Sequence, residues 1–280
     1  MANKYMCHKG MMPYGKDFFV SRQKSRSLAS GTEYDEIFIR PYLNGRDLTQ
    51  RPRDYMVLDF HETSERFVQD YFPAAYQHLK NNVKPFRDEN RIEYRQHYWW
   101  RFAQPSHELR EAVTGLKRFI ATPETATHRS FVFVDASTAP DQQLRVFTLE
   151  DALFLAELSS REHILFALGR GGKQGQGNDP RYAVQSCFEA FPFLRTADIP
   201  SELSAELRDL GERLDRHRKA RIEQHGHLTM TALYNVLERV RELSAGADVA
   251  PLSESERDVY DAGLVGVLGE LHDAIDAAVL

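Results

Sequence analysis

Arginine and aromatic side chains alternate densely between residues 41 and 122. This stretch contains Pro-Tyr-Leu-Asn-Gly-Arg-Asp at residues 41–47, Tyr-Trp-Trp-Arg-Phe at 98–102 and Leu-Lys-Arg-Phe-Ile-Ala-Thr at 116–122. The guanidinium group forms forked hydrogen bonds to phosphate oxygens and guanine edges, and aromatic rings stack on bases. These residue types therefore favour nucleic-acid binding. The alternative is a surface domain whose arginines pair with nearby Asp and Glu side chains.

Motifs for catalysis or metal binding are scarce in this sequence. His-Glu-Thr-Ser-Glu at residues 61–65 lacks the second histidine, four residues after the first, that a zinc-protease helix requires. Cys7 and His8 are adjacent and have no metal-ligand spacing. Asp59 and Glu62 leave a magnesium-dependent nuclease as a hypothesis, although no Glu-x-Lys element follows them. We therefore predict a binding protein with no catalytic residue and no metal site in this chain.

Five glycines occur within residues 169–180, the most flexible stretch of the sequence. The stretch matches neither a phosphate-binding loop nor a dinucleotide fingerprint, so we do not expect nucleotide binding. Arg170 and Lys173 lie within it, and such a loop could bring its backbone close to a phosphodiester chain. The alternative is a disordered linker.

The elements that must position these residues differ between the two halves of the chain. Short apolar runs predict strands at residues 18–20, 37–39, 55–60, 130–134 and 144–148, and Asn44-Gly45 predicts a tight turn. Helices are predicted at residues 65–79 with a break at Pro73, at 107–116, and at 149–168 with Ser159-Ser160 either inside the helix or at a break. The pattern is helical from residue 201 onward. We predict an α+β fold, with a mixed strand and helix domain over residues 1–195, the part expected to bind nucleic acid, and a small all-α bundle over residues 196–280.

Composition narrows the class of protein. The 280 residues are 42% hydrophobic and 28% charged, and no apolar run is long enough for a membrane span. Two cysteines and no secretory signal lead us to expect a cytoplasmic protein with no membrane partner. Residues 1–195 carry 27 Lys and Arg against 24 Asp and Glu, whereas residues 196–280 carry 9 against 17. Any polyanion should therefore bind the first part.

Several short phrases occur along nearly the whole chain, in residues 10–18, 39–48, 57–60, 83–87, 99–102, 120–123, 128–129, 158–163, 181–182, 187–193, 228–235 and 271–279. These phrases resemble the C-terminal part of the type IIL (MmeI-like) restriction–modification enzymes, which comprises a target-recognition domain and a helical domain. Each phrase is short, but their order and spacing are specific.

The resemblance implies a module that binds double-stranded DNA and reads a short asymmetric site for an adenine-N6 DNA methyltransferase, in cis or in trans. This sequence has no Asn/Asp-Pro-Pro-Tyr/Phe tetrapeptide and no glycine-rich S-adenosylmethionine loop. S-adenosylmethionine is therefore expected in the associated methyltransferase, and no cofactor is expected in this chain. We expect the chain to be a fragment, a split subunit or a gene remnant that does not methylate DNA alone.

The resemblance and the residue chemistry together suggest two groups of DNA-binding candidates. The first group surrounds the glycine-rich stretch and comprises Ser159, Ser160, Arg161, His163, Arg170, Lys173, Asn178, Arg181 and Tyr182. The second group comprises Arg46, Arg118, Thr122, His128 and Arg129. Arg and Asn suit base edges, whereas Ser and Lys more often contact phosphates.

Structural roles remain open for some of these residues. Arg46 could instead pair with Asp47 or Asp59, and Arg181-Tyr182 could be a packed connector. Trp99 is expected in the core and Trp100 at an interface with the methyltransferase. The alternative function for the whole chain is a protein-interaction adaptor, or an inactive remnant, that uses the acidic helical end as its partner surface.

Overall fold

The strands of four or more residues form where the sequence has branched and aromatic side chains, which pack well on a pleated surface. The computed structural model describes residues 3–104, 106–174, 179–195 and 197–280. The strands are β1 Cys7–Lys9, β2 Phe19–Ser21, β3 Ile39–Leu43, β4 Tyr55–Leu58, β5 Arg118–Pro123, β6 Val132–Asp135, β7 Ala139–Pro140, β8 Leu144–Phe147, β9 Gly172–Gln174 and β10 Asp179–Arg181. The helices are α1 Arg22–Leu28, α2 Asp35–Phe38, α3 Gly45–Thr49, α4 Glu65–Tyr71, α5 Pro73–Asn82, α6 Lys84–Asp88, α7 Glu93–His97, α8 His107–Val113, α9 Ala152–Ser159, α10 Arg161–Arg170, α11 Ser201–Gln224, α12 Met230–Ser244, α13 Glu254–Gly263 and α14 Val265–Val279.

Two four-stranded sheets organise the strand-rich part of the described chain. The first has the order β1-β8-β5-β6 and is antiparallel throughout, with Ala121 facing Val146 on one side and Val132 on the other. The second has the order β2-β4-β3-β7, in which only the β3–β7 pairing is parallel. Strands β9 and β10 form a separate antiparallel hairpin. Strand β8 is buried along its whole length, so the first sheet lies inside the protein.

Helix α11 covers the outer edge of the first sheet. Strand β6 is an edge strand, and its Phe133 N–H donates to the Asp215 carboxylate of α11 at 3.1 Å. The Phe133 carbonyl accepts from Lys219 Nζ at 2.6 Å, and the Phe131 carbonyl accepts from Arg218 at 2.6 Å. These side chains satisfy polar backbone groups that an edge strand would otherwise leave open. The helical region is thus in direct contact with the sheet, and the division at residue 195 stays a prediction.

A close helix crossing depends on Gly211 of α11. A Cβ atom at this position would overlap the carbonyl oxygen of Ala152 in α9 and would lie 3.0 Å from its carbonyl carbon. Because a backbone carbonyl in a packed helix cannot rotate away, only glycine fits at this crossing. Gly169, near the end of α10, provides the opposite case, because a Cβ atom there would meet no other atom within 4 Å.

We therefore expect alanine substitutions at these two glycines to change stability in opposite directions. Gly211→Ala should lower the free energy of unfolding by about 2–3 kcal/mol through overpacking. Gly169→Ala should raise it by about 0.5–1 kcal/mol, because alanine reduces the conformational freedom of the unfolded chain. Urea denaturation monitored by circular dichroism would measure both. Equal effects of the two substitutions would contradict the close crossing.

The predicted α+β fold is confirmed, and three local elements differ from the sequence predictions. The strand predicted at residues 37–39 begins only at Ile39, because the Asp35 carboxylate binds two preceding backbone N–H groups and a helical turn follows. Asn44 makes no hairpin turn: its side chain accepts hydrogen bonds from the N–H groups of Arg46 and Asp47 and caps α3. The helical pattern predicted from residue 201 onward is interrupted at Leu264, whose φ of 45° separates α13 from α14.

Both tryptophans belong to the core, so the interface predicted for Trp100 is wrong. Trp99 and Trp100 are 3% and 4% exposed, and their rings contact each other edge to face. The Trp100 Nε1–H donates to the carbonyl of Thr63 at 3.2 Å. Because the indole N–H finds its partner within the chain, burial of this ring is complete without another protein.

Candidate nucleic-acid interface

The glycine-rich stretch forms the β9–β10 hairpin where it is described. Lys173 pairs with Pro180 across the hairpin, and Arg181 bridges to Thr125 in the neighbouring loop. At Gly171, which leads into the hairpin, a Cβ atom would overlap the Arg181 carbonyl oxygen and lie 2.8 Å from that of Ala167. The absence of a side chain at Gly171 therefore lets the hairpin pack against the end of α10.

A shared carboxylate holds the base of the hairpin. Glu124 Oε1 lies 2.6 Å from Arg145 and 2.7 Å from Arg181. Burial raises the pKa of Glu124, but the hydrogen bond from Arg181 and the positive charges of both arginines outweigh burial, so the net pKa is below its usual value. Arg181 is exposed but already paired, which reduces the charge it can offer to a phosphate.

Arg129 fastens the neighbouring loop to β10. Its guanidinium donates to the carbonyls of Pro123 and Pro180, the latter at 2.9 Å, and to the Thr122 hydroxyl at 3.2 Å. The same group lies 5.3 Å from the ring centre of Tyr182. Burial lowers the pKa of Arg129 to about 10. Thr122 is fully buried and donates to the Ser130 carbonyl at 2.8 Å. These donors are committed to the protein itself.

His163 and Tyr182 form a buried pair beneath the hairpin. His163 Nδ1 lies 2.8 Å from the Leu158 carbonyl, and its Nε2 lies 3.0 Å from the Tyr182 hydroxyl. A carbonyl only accepts, so Nδ1 carries the proton, and the tyrosine donates to Nε2. Burial lowers the pKa of His163 to about 4, which keeps the ring neutral. Both residues are at most 1% exposed, so neither can touch DNA in this conformation.

Ser159 and Ser160, the two serines of the phrase at residues 158–163, are also interior residues. Ser160 caps α10: its hydroxyl accepts from the His163 N–H at 3.3 Å and donates to the Glu157 carbonyl at 2.7 Å. Ser159 is 5% exposed, and its hydroxyl has no hydrogen-bond partner among the described residues. Arg161 is exposed at the start of α10, where its backbone N–H donates to Asp276 at 2.6 Å. Only Arg161 of these three reaches the surface.

Arg46 lies on the wall of a groove of about 380 Å³ between α3 and the β9–β10 hairpin. Its side chain is exposed, and no carboxylate of the described residues lies within ion-pair distance of it. The pairing with Asp47 or Asp59 considered from the sequence is not formed. Asp47 binds Arg53 at 2.8 Å instead. The Arg46 guanidinium is therefore available to a ligand in the groove.

Two members of the second candidate group face the helical region. Arg118 binds the Glu212 carboxylate of α11 and lies 3.5 Å from the ring centre of Phe133. The His128 Nδ1 lies 3.1 Å from Glu238 of α12. Arg118 thus connects β5 to α11, as the pairing alternative predicted for the arginine-rich stretch, and His128 connects the loop between β5 and β6 to α12.

The structure thus separates the candidates by exposure. Arg46, Arg161, Arg170, Lys173 and Arg181 are exposed, whereas Thr122, Ser159, Ser160, His163 and Tyr182 are buried. Arg170 places its guanidinium 4.9 Å from the ring centre of Phe166. Asn178 lies outside the described residues.

Two glutamines join the candidate surface without having been predicted. Gln143 and Gln174 are exposed and line the groove with Arg46. A glutamine amide can donate to and accept from an adenine edge at the same time. No motif marks these glutamines in the sequence, because their proximity arises only from the pairing of distant elements.

The nuclease hypothesis does not fit the geometry of Asp59. This carboxylate is 1% exposed as a side chain and is held by Arg40 at 3.2 Å and Arg110 at 2.8 Å. Two guanidinium groups occupy the lone pairs that a Mg²⁺ ion would need. Asp59 therefore has a structural role, and the pair Asp59 and Glu62 does not form a magnesium site.

Within the described ranges, every helix is too short or too polar to span a bilayer. No family model matches the sequence, and no curated protein matches it. Among solved structures, the chain is similar to the type IIL restriction–modification enzyme MmeI in complex with DNA, with a TM-score of 0.68 and 15% identity. The similarity covers 98% of this chain and 32% of that protein, so the chain spans about a third of its length. This likeness shows a related fold, as the resemblance of the sequence phrases predicted.

Proposed function

We propose that this chain reads a DNA target sequence for an adenine-N6 DNA methyltransferase of a restriction–modification system. The observation that carries this proposal is the extent of the fold likeness, which covers 98% of the chain and relates it to an enzyme solved with DNA. The order of the sequence phrases supports the same assignment. The methyltransferase, with its S-adenosylmethionine, would be a separate domain or subunit, because its motifs do not occur in this sequence.

The groove beside Arg46 and the β9–β10 hairpin together form the proposed DNA surface. A two-stranded ribbon fits the major groove of B-form DNA, where each base pair presents a distinct pattern of donors and acceptors. Lys173 is exposed on β9, and Arg170 is exposed at the end of α10, just before it. Positive charges beside a narrow ribbon would bring it against the phosphate backbone.

Residue chemistry suggests different roles within this surface. Arg46, Gln143 and Gln174 suit base edges, because guanidinium and amide groups form paired hydrogen bonds with guanine and adenine. Lys173 and Arg170 suit phosphates, which fix the register of the protein on the duplex. Asn178 remains a candidate for base contact on its residue type alone.

Three candidates whose hydrogen bonds go to the protein itself support this surface from below. Arg129 binds the Pro123 carbonyl at the end of β5 and the Pro180 carbonyl of β10, and Tyr182 connects the end of β10 to His163. A reading surface must hold its contacts to a fraction of an ångström, and packed side chains with satisfied hydrogen bonds provide that rigidity. We therefore assign Arg129, His163 and Tyr182 to positioning rather than to DNA contact.

The test of this function is a binding selection from random duplex DNA with the purified chain at moderate salt. Enrichment of one short motif is the expected result, and it would identify the target. Binding without enrichment would show a phosphate-binding protein that needs its methyltransferase for specificity. Absence of binding would favour the adaptor or the inactive remnant.

Lys173→Ala should weaken DNA binding about equally for all sequences. Loss of one phosphate contact should reduce the slope of log affinity against log salt concentration by roughly 0.9. Fluorescence anisotropy with the selected duplex and a scrambled duplex, at several salt concentrations, would measure both effects. Lys24→Ala is the matched control, because Lys24 is exposed on α1 and lines neither the groove nor the hairpin. A slope equal to that of the unmodified chain would exclude Lys173 from the interface.

A partner-binding role for the helical end has one supporting observation. Leu264 and Val267, at the junction of α13 and α14, are 46% and 40% exposed. Exposed apolar side chains close together favour protein docking. This surface is compatible with a methyltransferase partner in trans. Partner binding becomes the main function of the chain only if the binding selection finds no DNA affinity.

A further inference from the structure

We propose that His61, Glu62 and His107 form a binding site for a divalent transition-metal ion, best matched by Zn²⁺. The His61 Nε2 lies 3.4 Å from Glu62 Oε1, and the His107 Nδ1 lies 3.6 Å from the same oxygen. One ligand atom from each of the three side chains lies within 4.8 Å of the other two. Two imidazoles and one carboxylate are a common ligand set for zinc.

These distances fit a single tetrahedral ion. Zinc bonds to nitrogen and oxygen of about 2.0–2.1 Å, at tetrahedral angles, separate neighbouring ligand atoms by about 3.3–3.4 Å. The measured separations of 3.4 and 3.6 Å are close to that edge length. The third separation, between the ligand atoms of His61 and His107, is at most 4.8 Å, and rotation of the exposed His107 side chain would have to shorten it to the tetrahedral value.

An adjacent ion pair holds the two ligand-bearing segments together. Arg110 lies one turn after His107 on α8, and it donates to both oxygens of Asp59 at 2.9 and 2.8 Å. Asp59 lies two residues before His61, in the turn that follows β4. The ion pair therefore sets the distance between the helix and the turn before any metal binds.

The other end of the turn is also fixed. The Thr63 carbonyl accepts from Trp100 Nε1 at 3.2 Å and from Arg101 Nε at 2.9 Å. Between these anchors Glu62 has a φ of 57°, and Ser106, just before His107, has a φ of 55°. Left-handed backbone is unfavourable for residues with side chains and is retained mainly where the surroundings or the function require it. Both ligand segments carry this strain.

The ligand types and their exposure select the class of ion. Mg²⁺ and Ca²⁺ prefer oxygen ligands, and Cu(I) prefers sulfur, so the mixed nitrogen and oxygen set favours a divalent transition-metal ion. Among these ions, the near-tetrahedral ligand separations favour Zn²⁺. The side chains of His61, Glu62 and His107 are 18%, 70% and 59% exposed. Three protein ligands on an accessible surface leave the fourth position to water or to a ligand from a partner.

The test is a titration of the full chain with Zn²⁺, and with Co²⁺ as a spectroscopic probe. Zn²⁺ should raise the melting temperature, and bound Co²⁺ should show the intense visible absorption of a tetrahedral or five-coordinate ion. His107→Ala and Glu62→Gln should each weaken Zn²⁺ affinity at least about tenfold, because loss of an outer-shell group alone has an effect of that size. His227→Ala is the control: it removes a half-exposed histidine that pairs with Asp258 in the helical region.

Glu62→Gly separates metal binding from stability. Glycine relieves the left-handed strain, so the metal-free variant should melt at a higher temperature, while its response to Zn²⁺ should be lost. The proposal is overturned if Zn²⁺ leaves the melting temperature of the unmodified chain unchanged and Co²⁺ keeps the weak spectrum of its hydrated ion. It is also overturned if His227→Ala, rather than His107→Ala, abolishes binding. None of these outcomes bears on the proposed DNA reading.

Discussion

Replacing Arg218 with methionine should lower the free energy of unfolding by about 2–4 kcal/mol, because two buried acceptors lose a charged donor. Arg218 is fully buried in α11 and donates to the Phe131 carbonyl at 2.6 Å and to the Tyr234 hydroxyl at 2.9 Å. Methionine fills a similar volume, so the expected loss comes mainly from unsatisfied polar groups rather than from a cavity. Tyr234 keeps its second contact, with His272 at 2.9 Å, which limits the loss on that side.

Arg216→Met is the matched control for this substitution. Arg216 lies two residues earlier on the same helix and is exposed, so its replacement should change stability by less than about 0.5 kcal/mol. Urea denaturation would measure the free energy of unfolding of both variants. Equal slopes of the two transitions would show that the variants expose the same surface on unfolding. If the two variants were equally stable, the Arg218 contacts would contribute nothing net to the fold.

The Arg218 contacts also matter to the proposed interface. Phe131 follows the loop that carries Arg129 and leads directly into β6. Arg218 therefore fixes that loop from the helical side, while Arg129 fixes it from the hairpin side. We expect the helical region to support the proposed DNA surface, because α11 packs directly on the first sheet.

Local patterns predicted the elements that contain most of the core. The apolar run at residues 130–134 predicted β6, the run at 144–148 predicted β8, and the helical pattern from residue 201 onward predicted α11. Pairing was not predictable from these runs. Strand β1 pairs with β8, which lies half the chain length away, with Cys7 facing Phe147, and nothing in either segment specifies the other. Register of that kind depends on the whole core.

Arginine was the hardest residue type to interpret from the sequence. The sequence predicted the same role for Arg46 and Arg129, yet Arg46 is exposed in a groove and Arg129 is bound to carbonyls. The difference depends on which backbone oxygens lack partners near each guanidinium, and these oxygens belong to residues 123 and 180 in the case of Arg129. Sequence spacing carries no information about such long-range acceptors.

The cluster of His61, Glu62 and His107 is a second case in which sequence spacing misleads, because here the sequence missed residues that the fold brings together. Residues 61–65 contain no second histidine at helical spacing, so the sequence predicted no metal site. The structure supplies His107 from a different element, because the Asp59–Arg110 ion pair brings α8 against the turn after β4. Motifs that lie within one helix can be read from sequence, whereas sites assembled from two segments require the fold.

Arg46→Ala should reduce discrimination between DNA sequences at one position of the target by about 1–3 kcal/mol, the usual value of a paired guanidinium contact to a base edge. Affinity for the selected duplex should fall by the same amount, whereas affinity for scrambled DNA should fall much less. Arg46→Lys should behave differently from alanine, because lysine keeps the positive charge but lacks the planar fork. It should retain the salt dependence and lose the discrimination.

Competition binding with every single-base variant of the selected target would locate the affected position. Lys173→Ala serves as the contrasting variant, since a phosphate contact weakens all duplexes alike. If Arg46→Ala instead weakened selected and scrambled DNA equally, Arg46 would be a phosphate contact, and base reading would have to come from the glutamines of the groove. Because Gln143 and Gln174 line the same groove as Arg46, their alanine variants would then be expected to change the selected base.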